Sequence, residues 1–227
     1  MPNLQSLAEN LWLMPYPLSI AGMRLGRTVT IIRLRSGKLI IHSTAPFPEA
    51  DVAAFTDLGE PTWLVEATNF HDTFARQGHA AFPQLPYLVP EHFPTPKGVS
   101  TQELMMPDDW GDELSMVKVD GMPKINEHVF FHPSSKTLIV ADLVFNMPPE
   151  TDAMTLRLLR WISGMKTYPD NSRMYRALIK DRAAFEASLQ QILAFDFETV
   201  IVAHGVPIRE RAKDQLAETF RAQGFAV

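Results

Sequence analysis

Short apolar runs rich in β-branched residues recur along the chain, and three of them lead into residues of metal-binding type. Residues 137–141 read Thr-Leu-Ile-Val-Ala and are followed by Asp142, and residues 199–203 read Thr-Val-Ile-Val-Ala and are followed by His204. Both runs have the length and composition of buried strands. A third run, Trp63-Leu64-Val65, leads into Phe70-His71-Asp72. Binding residues sit preferentially on loops held by a rigid scaffold. Three strand ends carrying His or Asp therefore suggest a metal site, or the remains of one.

The same patterning predicts the elements between these runs. Residues 27–34 and 38–42 flank Arg35-Ser36-Gly37, a hairpin signal. Ala50, Val52, Ala53, Ala54 and Phe55 predict a short helix over 48–58, with Pro48 suited to its first turn and Gly59-Glu60-Pro61 ending it. Prolines cluster over 82–107, which predicts extended chain and loop. Residues 127–132 and 137–141 predict a second hairpin around Pro133-Ser134-Ser135-Lys136. Beyond it the spacing turns helical, over 151–162 (Met154, Leu158, Leu159, Ile162) and 181–195 (Ala184, Phe185, Leu189, Ile192, Leu193). The 199–203 strand then precedes a charged terminal helix over 209–223. Hairpins, interposed helices and a late strand ending in His predict two packed sheets with helices outside. No internal repeat or linker-like break appears, so a single layered α/β domain over residues 1–227 is expected.

Composition narrows the chemistry. At 227 residues and 46% apolar the chain can bury a substantial core. Its net charge is −5 with no block of like charge, which argues against a nucleic-acid partner. There are no cysteines, which removes disulfides, thiolate zinc sites and cysteine nucleophiles. Any metal is left to His, Asp or Glu, a donor set suited to zinc, with iron or manganese behind it. No apolar run approaches the roughly 20 residues of a membrane span. The first ten residues lack the basic-then-apolar pattern of a signal peptide. A cytoplasmic protein with a small-molecule substrate or ligand, and with no membrane partner, is the expectation. A phosphate-cradling Gly-rich loop and a Gly-x-Ser-x-Gly elbow are both absent.

In order along the chain stand Leu11-Trp12, His42-Ser43, Phe70-His71-Asp72, Asp142-Leu143 and Ala203-His204-Gly205. Taken together they resemble the metallo-β-lactamase-fold superfamily, and within it a divergent, poorly characterised branch. The resemblance covers nearly the whole chain. It implies a four-layer αββα sandwich and a metal-dependent hydrolase. Family members with a full site hold two metals through a His-x-His-x-Asp-His loop, a further His, a bridging Asp and a terminal His. Asp142 matches the bridging Asp and His204 the terminal His. Ala67 and Asn69 stand where the loop's first two His would be, and His71-Asp72 stand at its Asp-His pair in reversed order. Residues 121–124, Gly-Met-Pro-Lys, hold no ligand where the remaining His would lie. The resemblance thus implies a lost first metal site and a single surviving one. Its ligands would be His71, Asp72, Asp142 and His204, with Asp72 or Asp142 orienting the attacking water or taking its proton. An alternative register sets His71 at the loop's second His, leaving a poorer set.

Simpler readings stand beside these. Asp142 also suits a turn cap, and His71-Asp72 a helix start. His42 lines the pocket or bonds a backbone carbonyl in the core. Asn69, Lys166 and Tyr168 are pocket candidates. Arg157, Arg160 and Lys166 suit a phosphate or carboxylate substrate, and a solvated helix face accounts for Arg157 and Arg160 as well. His128 and His132 read as structural. The substrate of such a hydrolase would be a small ester, thioester, lactone or phosphoester. The alternative is a non-catalytic relative that keeps the fold to bind a ligand or partner.

Overall fold

The computed structural model describes residues 2–227. In chain order it runs β1 (Gln5–Ala8), β2 (Leu11–Tyr16), β3 (Ser19–Ile20), β4 (Met23–Arg24), β5 (Arg27–Arg33), β6 (Lys38–His42), α1 (Glu49–Leu58), β7 (Glu60–Val65), α2 (Ala75–Ala81), β8 (Tyr87–Val89) and β9 (Gln102–Glu103). It continues through β10 (Ser115–Lys118), β11 (His128–His132), β12 (Thr137–Ile139), α3 (Ala153–Leu158), α4 (Arg173–Ala177), α5 (Arg182–Ala194), β13 (Thr199–Ile201) and α6 (Ala212–Ala222). The chain forms two compact units. The first holds the residues up to Tyr16 with Thr28–Gly111, and the second holds Pro17–Arg27 with Asp112–Val227.

The first unit is built on a seven-stranded sheet in the order β1-β2-β5-β6-β7-β8-β9. The predicted hairpin is β5–β6, antiparallel with Ile31 opposite Ile41. β7, β8 and β9 then add in parallel, a pairing that needs the helix or long loop lying between them. Tyr16, Phe47, Phe55 and Phe82 bring their rings within 5.5–6.2 Å of one another in the core of this unit. Such contacts add to plain area burial. The phenol of Tyr16 donates to Asp51 Oδ2 at 2.6 Å, tying β2 to α1, and burial with that carboxylate holds the phenol protonated. The proline-rich segment supplies two strands of only three and two residues, β8 and β9, too short to mark themselves in the sequence.

The second unit has a four-stranded sheet, β10-β11-β12-β13, and a two-stranded one, β3-β4. β11 and β12 form the second predicted hairpin, and β13 lies parallel to β12 with Leu138 opposite Val200. Phe185, Leu189 and Ile192 of α5 and Leu216 and Phe220 of α6 build its main core with Leu138 and Val200. Two helices depart from their predicted form. α6 starts at Ala212 rather than 209 because Arg211 adopts a positive φ of 47°, which no helix interior accepts. The 151–162 helix begins at Ala153, capped by Asp152 accepting from Thr155 N at 2.9 Å, and its last turn widens into a π-turn over Leu159–Ser163. Gly164 in the left-handed conformation ends it.

Candidate metal centre

Parallel pairing of β12 with β13 carries both strand ends to one edge of the sheet, which is why Asp142 and His204 meet. Val140 N donates to Ile201 O at 2.9 Å just before the chains diverge. His204 Nε2 then stands 3.4 Å from Asp142 Oδ1, and both residues are buried. His204 Nδ1 lies 2.7 Å from the carbonyl of Gly26. A carbonyl only accepts, so Nδ1 carries the hydrogen and, in the neutral ring, Nε2 presents its lone pair toward the carboxylate. Two electron-pair donors facing each other need a proton or a cation between them. The separation suits a cation, because a tetrahedral ion with ligand bonds of ~2.0–2.1 Å sets its ligands about 3.4 Å apart. Fixing the second ring nitrogen on a backbone carbonyl is the usual support for a metal-ligating His. The ring of Phe145 stacks on His204 at 4.8 Å and fixes its plane.

Glu127 holds this edge together. Fully buried, it accepts hydrogen bonds from Ala141 N (2.9 Å), Asp142 N (3.2 Å), Leu143 N (3.1 Å) and the Tyr175 hydroxyl (2.9 Å). Its carboxylate thus sets the backbone path through Asp142. Burial first, then repulsion from Asp142, push its pKa up to about 7 against the pull of those donors. Gly205, after His204, has φ +106°, and a Cβ there would stand 2.0 Å from Asn146 O, so only glycine fits where the two loops bridge.

In the first unit the loop after β7 carries His71. His71 is buried, and Nδ1 faces Ser43 Oγ at 3.4 Å and Glu66 Oε2 at 3.6 Å. Ser43 Oγ in turn donates to Glu66 Oε2 at 3.4 Å, and Thr44 N donates to Glu66 Oε1 at 2.7 Å. This chain of donors places the hydrogen on Nδ1 and the lone pair on Nε2. His71 is a buried donor of metal-binding type in the first unit, as Asp142 and His204 are in the second. Two imidazoles and a carboxylate suit a first-row divalent ion.

No protein-family model matches the chain, and no curated protein matches it. Solved structures do. A metallo-β-lactamase from Pontibacter korlensis superposes over 100% of both chains with a TM-score of 0.63 at 14% identity. The DIM-1 metallo-β-lactamase, exposed to ceftazidime, gives 0.64 at 14% identity over 98% of this chain and 97% of its own. The FIM-1 metallo-β-lactamase from Pseudomonas aeruginosa, in its mono-zinc form, gives 0.62 at 12% identity over 99% and 97%. This chain has the metallo-β-lactamase fold.

The expected α/β class and family likeness are thereby met. Within this metallo-β-lactamase fold the individual site residues fall differently. Asp72 is exposed and opens a short 3₁₀ turn, Asp72–Phe74, its carbonyl accepting from Ala75 N. It is not among the side chains grouped as able to hold a metal ion, and within the first unit the carboxylate facing His71 is Glu66 instead. His42 is buried at the end of β6, and Asn69 is buried with Nδ2 donating to Glu91 O at 3.2 Å. Lys166 and Tyr168 line a cavity of about 840 Å³ in the second unit. Glu66 and Glu127 escaped sequence reading, although Glu66 directly ends the Trp63-Leu64-Val65 run. Among the described residues no helix is long and apolar enough to cross a membrane.

Proposed function

We propose that this chain is a metal-dependent hydrolase whose single divalent ion, zinc first, is held by Asp142 and His204 with His71 as third ligand. The observation that carries the reading is the Asp142–His204 pair, its donors facing each other at one sheet edge with the imidazole fixed from behind by Gly26 O. Three N/O donors suit one ion with a position left for water or substrate. Among structures sharing this fold, FIM-1 is described in a mono-zinc form, which supports the one-ion reading by analogy. The metal, when bound, supplies Lewis acidity that lowers the pKa of water toward neutrality and polarises a carbonyl or phosphoryl oxygen. The protein supplies the rest. Glu127 fixes the Asp142 loop, so the carboxylate is placed to orient the attacking water or accept its proton. Gly26 and Phe145 fix the His204 ring, and Ser43 with Glu66 fix the ring of His71. The substrate is a small ester, thioester, lactone or phosphoester.

Elemental analysis of protein purified without chelator tests this. We expect about one zinc, iron or manganese per chain, as a three-donor site implies. Asp142→Ala and His204→Ala lose that metal and at least about a hundredfold in hydrolysis of generic esters, since even outer partners of a metal site cost 10–100-fold. Unchanged metal content and turnover in both variants would overturn the proposal.

A further inference from the structure

The second unit carries an apolar cavity beside the candidate centre whose rim is basic, although the chain as a whole is acidic at −5. Its volume of about 840 Å³ suits a ligand of drug size, and Met147, Leu156, Met165 and Trp161 give it apolar walls. Arg157, Arg160 and Lys166 stand around it, exposed, and no carboxylate lies within ion-pair distance of these three side chains among the described residues. The phenolic oxygen of Tyr168, also in the wall, is buried without a hydrogen-bond partner among the described residues. Buried polar atoms are almost always paired, so an orphan in the wall of a cavity is a group that calls for an explanation. Trp161 is 75% exposed on the π-turn, a helix distortion frequent at functional sites. The cavity wall also adjoins the segment that carries His204. Asn146 and Val206 form part of its wall, and they flank the bridge at Gly205, with Asn146 N donating to His204 O at 3.2 Å.

We infer that this cavity binds the apolar body of an anionic amphiphile, its carboxylate or phosphate held by Arg157, Arg160 and Lys166, and that the substrate of the hydrolase is an ester of this class. The inference builds on the hydrolase reading by naming its substrate class. Apolar walls select the body, and guanidinium and ammonium groups select the anion. The concave shape favours a small molecule over a membrane surface.

Binding is measured by Trp fluorescence in the presence of chelator, so that the outcome does not depend on the metal. Decanoate is titrated against decyltrimethylammonium and decanol, with Trp161→Phe to assign the signal. We expect saturable binding of decanoate, weaker binding of decanol and none of the cation. The Arg157→Gln/Arg160→Gln double variant, altered only at exposed positions, should bind decanoate about tenfold more weakly. Equal binding of all three probes, or decanoate affinity unchanged in the double variant, would overturn the inference. So would binding to phosphatidylglycerol vesicles with none to decanoate, an outcome that would make this face a membrane contact. Decanoate binding together with absent metal-dependent hydrolysis of an ester that keeps a free carboxylate, such as monodecyl succinate, would retain the pocket and remove the hydrolase reading, which separates the two failures.

Discussion

Each unit buries one glutamate completely beside the loop that bears its candidate ligands, and the two are used differently. Glu127 spends its oxygens on three consecutive backbone N–H groups and a phenol. Glu66 accepts from one backbone N–H and from the hydroxyls of Ser43 and Thr44, and it faces an imidazole. A carboxylate bonded to amides dictates where the chain goes, whereas one bonded to hydroxyls and an imidazole dictates which atom of a side chain carries the proton. The contrast separates a scaffold role at Asp142 from a tuning role at His71.

Removing Glu127 should give the largest effect. Glu127→Leu strands three buried amides and the Tyr175 hydroxyl, and each unsatisfied buried group costs about 1–3 kcal/mol. Partial relaxation leaves an expected loss of about 4 kcal/mol in urea unfolding, a large part of a domain's stability. Glu127→Gln keeps one acceptor oxygen but turns an NH₂ toward an amide N–H, and about 2 kcal/mol should go. A loss below about 1 kcal/mol in Glu127→Leu would erase the contrast.

The neighbour of Glu127 extends it to pH. His128 is buried at the start of β11, its Nδ1 3.2 Å from Asn126 O, and desolvation lowers its pKa from 6.5 to about 4. Lys118 lowers it slightly further, while the Asn126 bond and Asp120 oppose the shift. Between pH 6.5 and 4 the unfolded chain binds a proton here that the folded chain does not. Stability from this group is therefore whole above pH 6.5 and is lost as pH falls toward 4. Comparing unfolding at pH 7 and 4.5, the wild type should lose about 2–3 kcal/mol more than His128→Gln. Equal losses in the two proteins would remove His128 from the account and with it the acid sensitivity assigned to the second unit.

What could be read in advance follows the same division. Asp142 and His204 were legible because an apolar β-branched run that stops at a ligand type has few other uses. Their meeting was expected from the family resemblance alone, since it depends on the parallel register of Leu138 with Val200, and two similar runs do not announce their pairing. Glu127 was hidden because a charged residue opening a hairpin reads as solvent-exposed. The clue lay in the five residues after it, His128–His132, all buried and without the alternation of a half-exposed strand. Glu66 obeyed the rule that found Asp142, but attention passed over it to His71. Asp72 was placed among the ligands by matching His71-Asp72 to the family loop's Asp-His pair in reversed order, whereas the chain turns there into a 3₁₀ helix that leaves it exposed. The π-turn was invisible because Met154, Leu158, Leu159 and Ile162 keep an ordinary helical spacing. Yet Met154 and Ile162 are 50% and 44% exposed while Leu159 is 1% exposed, so only part of that pattern faces the core.

The smallest stability change is expected at Glu66, and there the comparison is sharpest. Glu66→Gln can keep its carbonyl oxygen on Thr44 N and Thr44 Oγ1 and turn its NH₂ toward Ser43 Oγ, which has lone pairs to accept it. Stability should fall by only about 1 kcal/mol, near the net worth of one hydrogen bond. The charge behind His71 Nδ1 is lost, however, and with it the preference for the hydrogen on that nitrogen and the basicity of Nε2. Outer partners of this kind are worth 10–100-fold in metal affinity. Zinc affinity in Glu66→Gln should therefore drop about tenfold or more while the unfolding midpoint barely moves. Glu127→Gln should show the reverse balance, a clear loss of stability with metal affinity falling only as far as the Asp142 loop loosens. Parallel zinc titrations and urea melts on the two variants decide it. If both glutamines weaken zinc and stability in the same proportion, the two carboxylates do one job, and the division between scaffold and tuning fails.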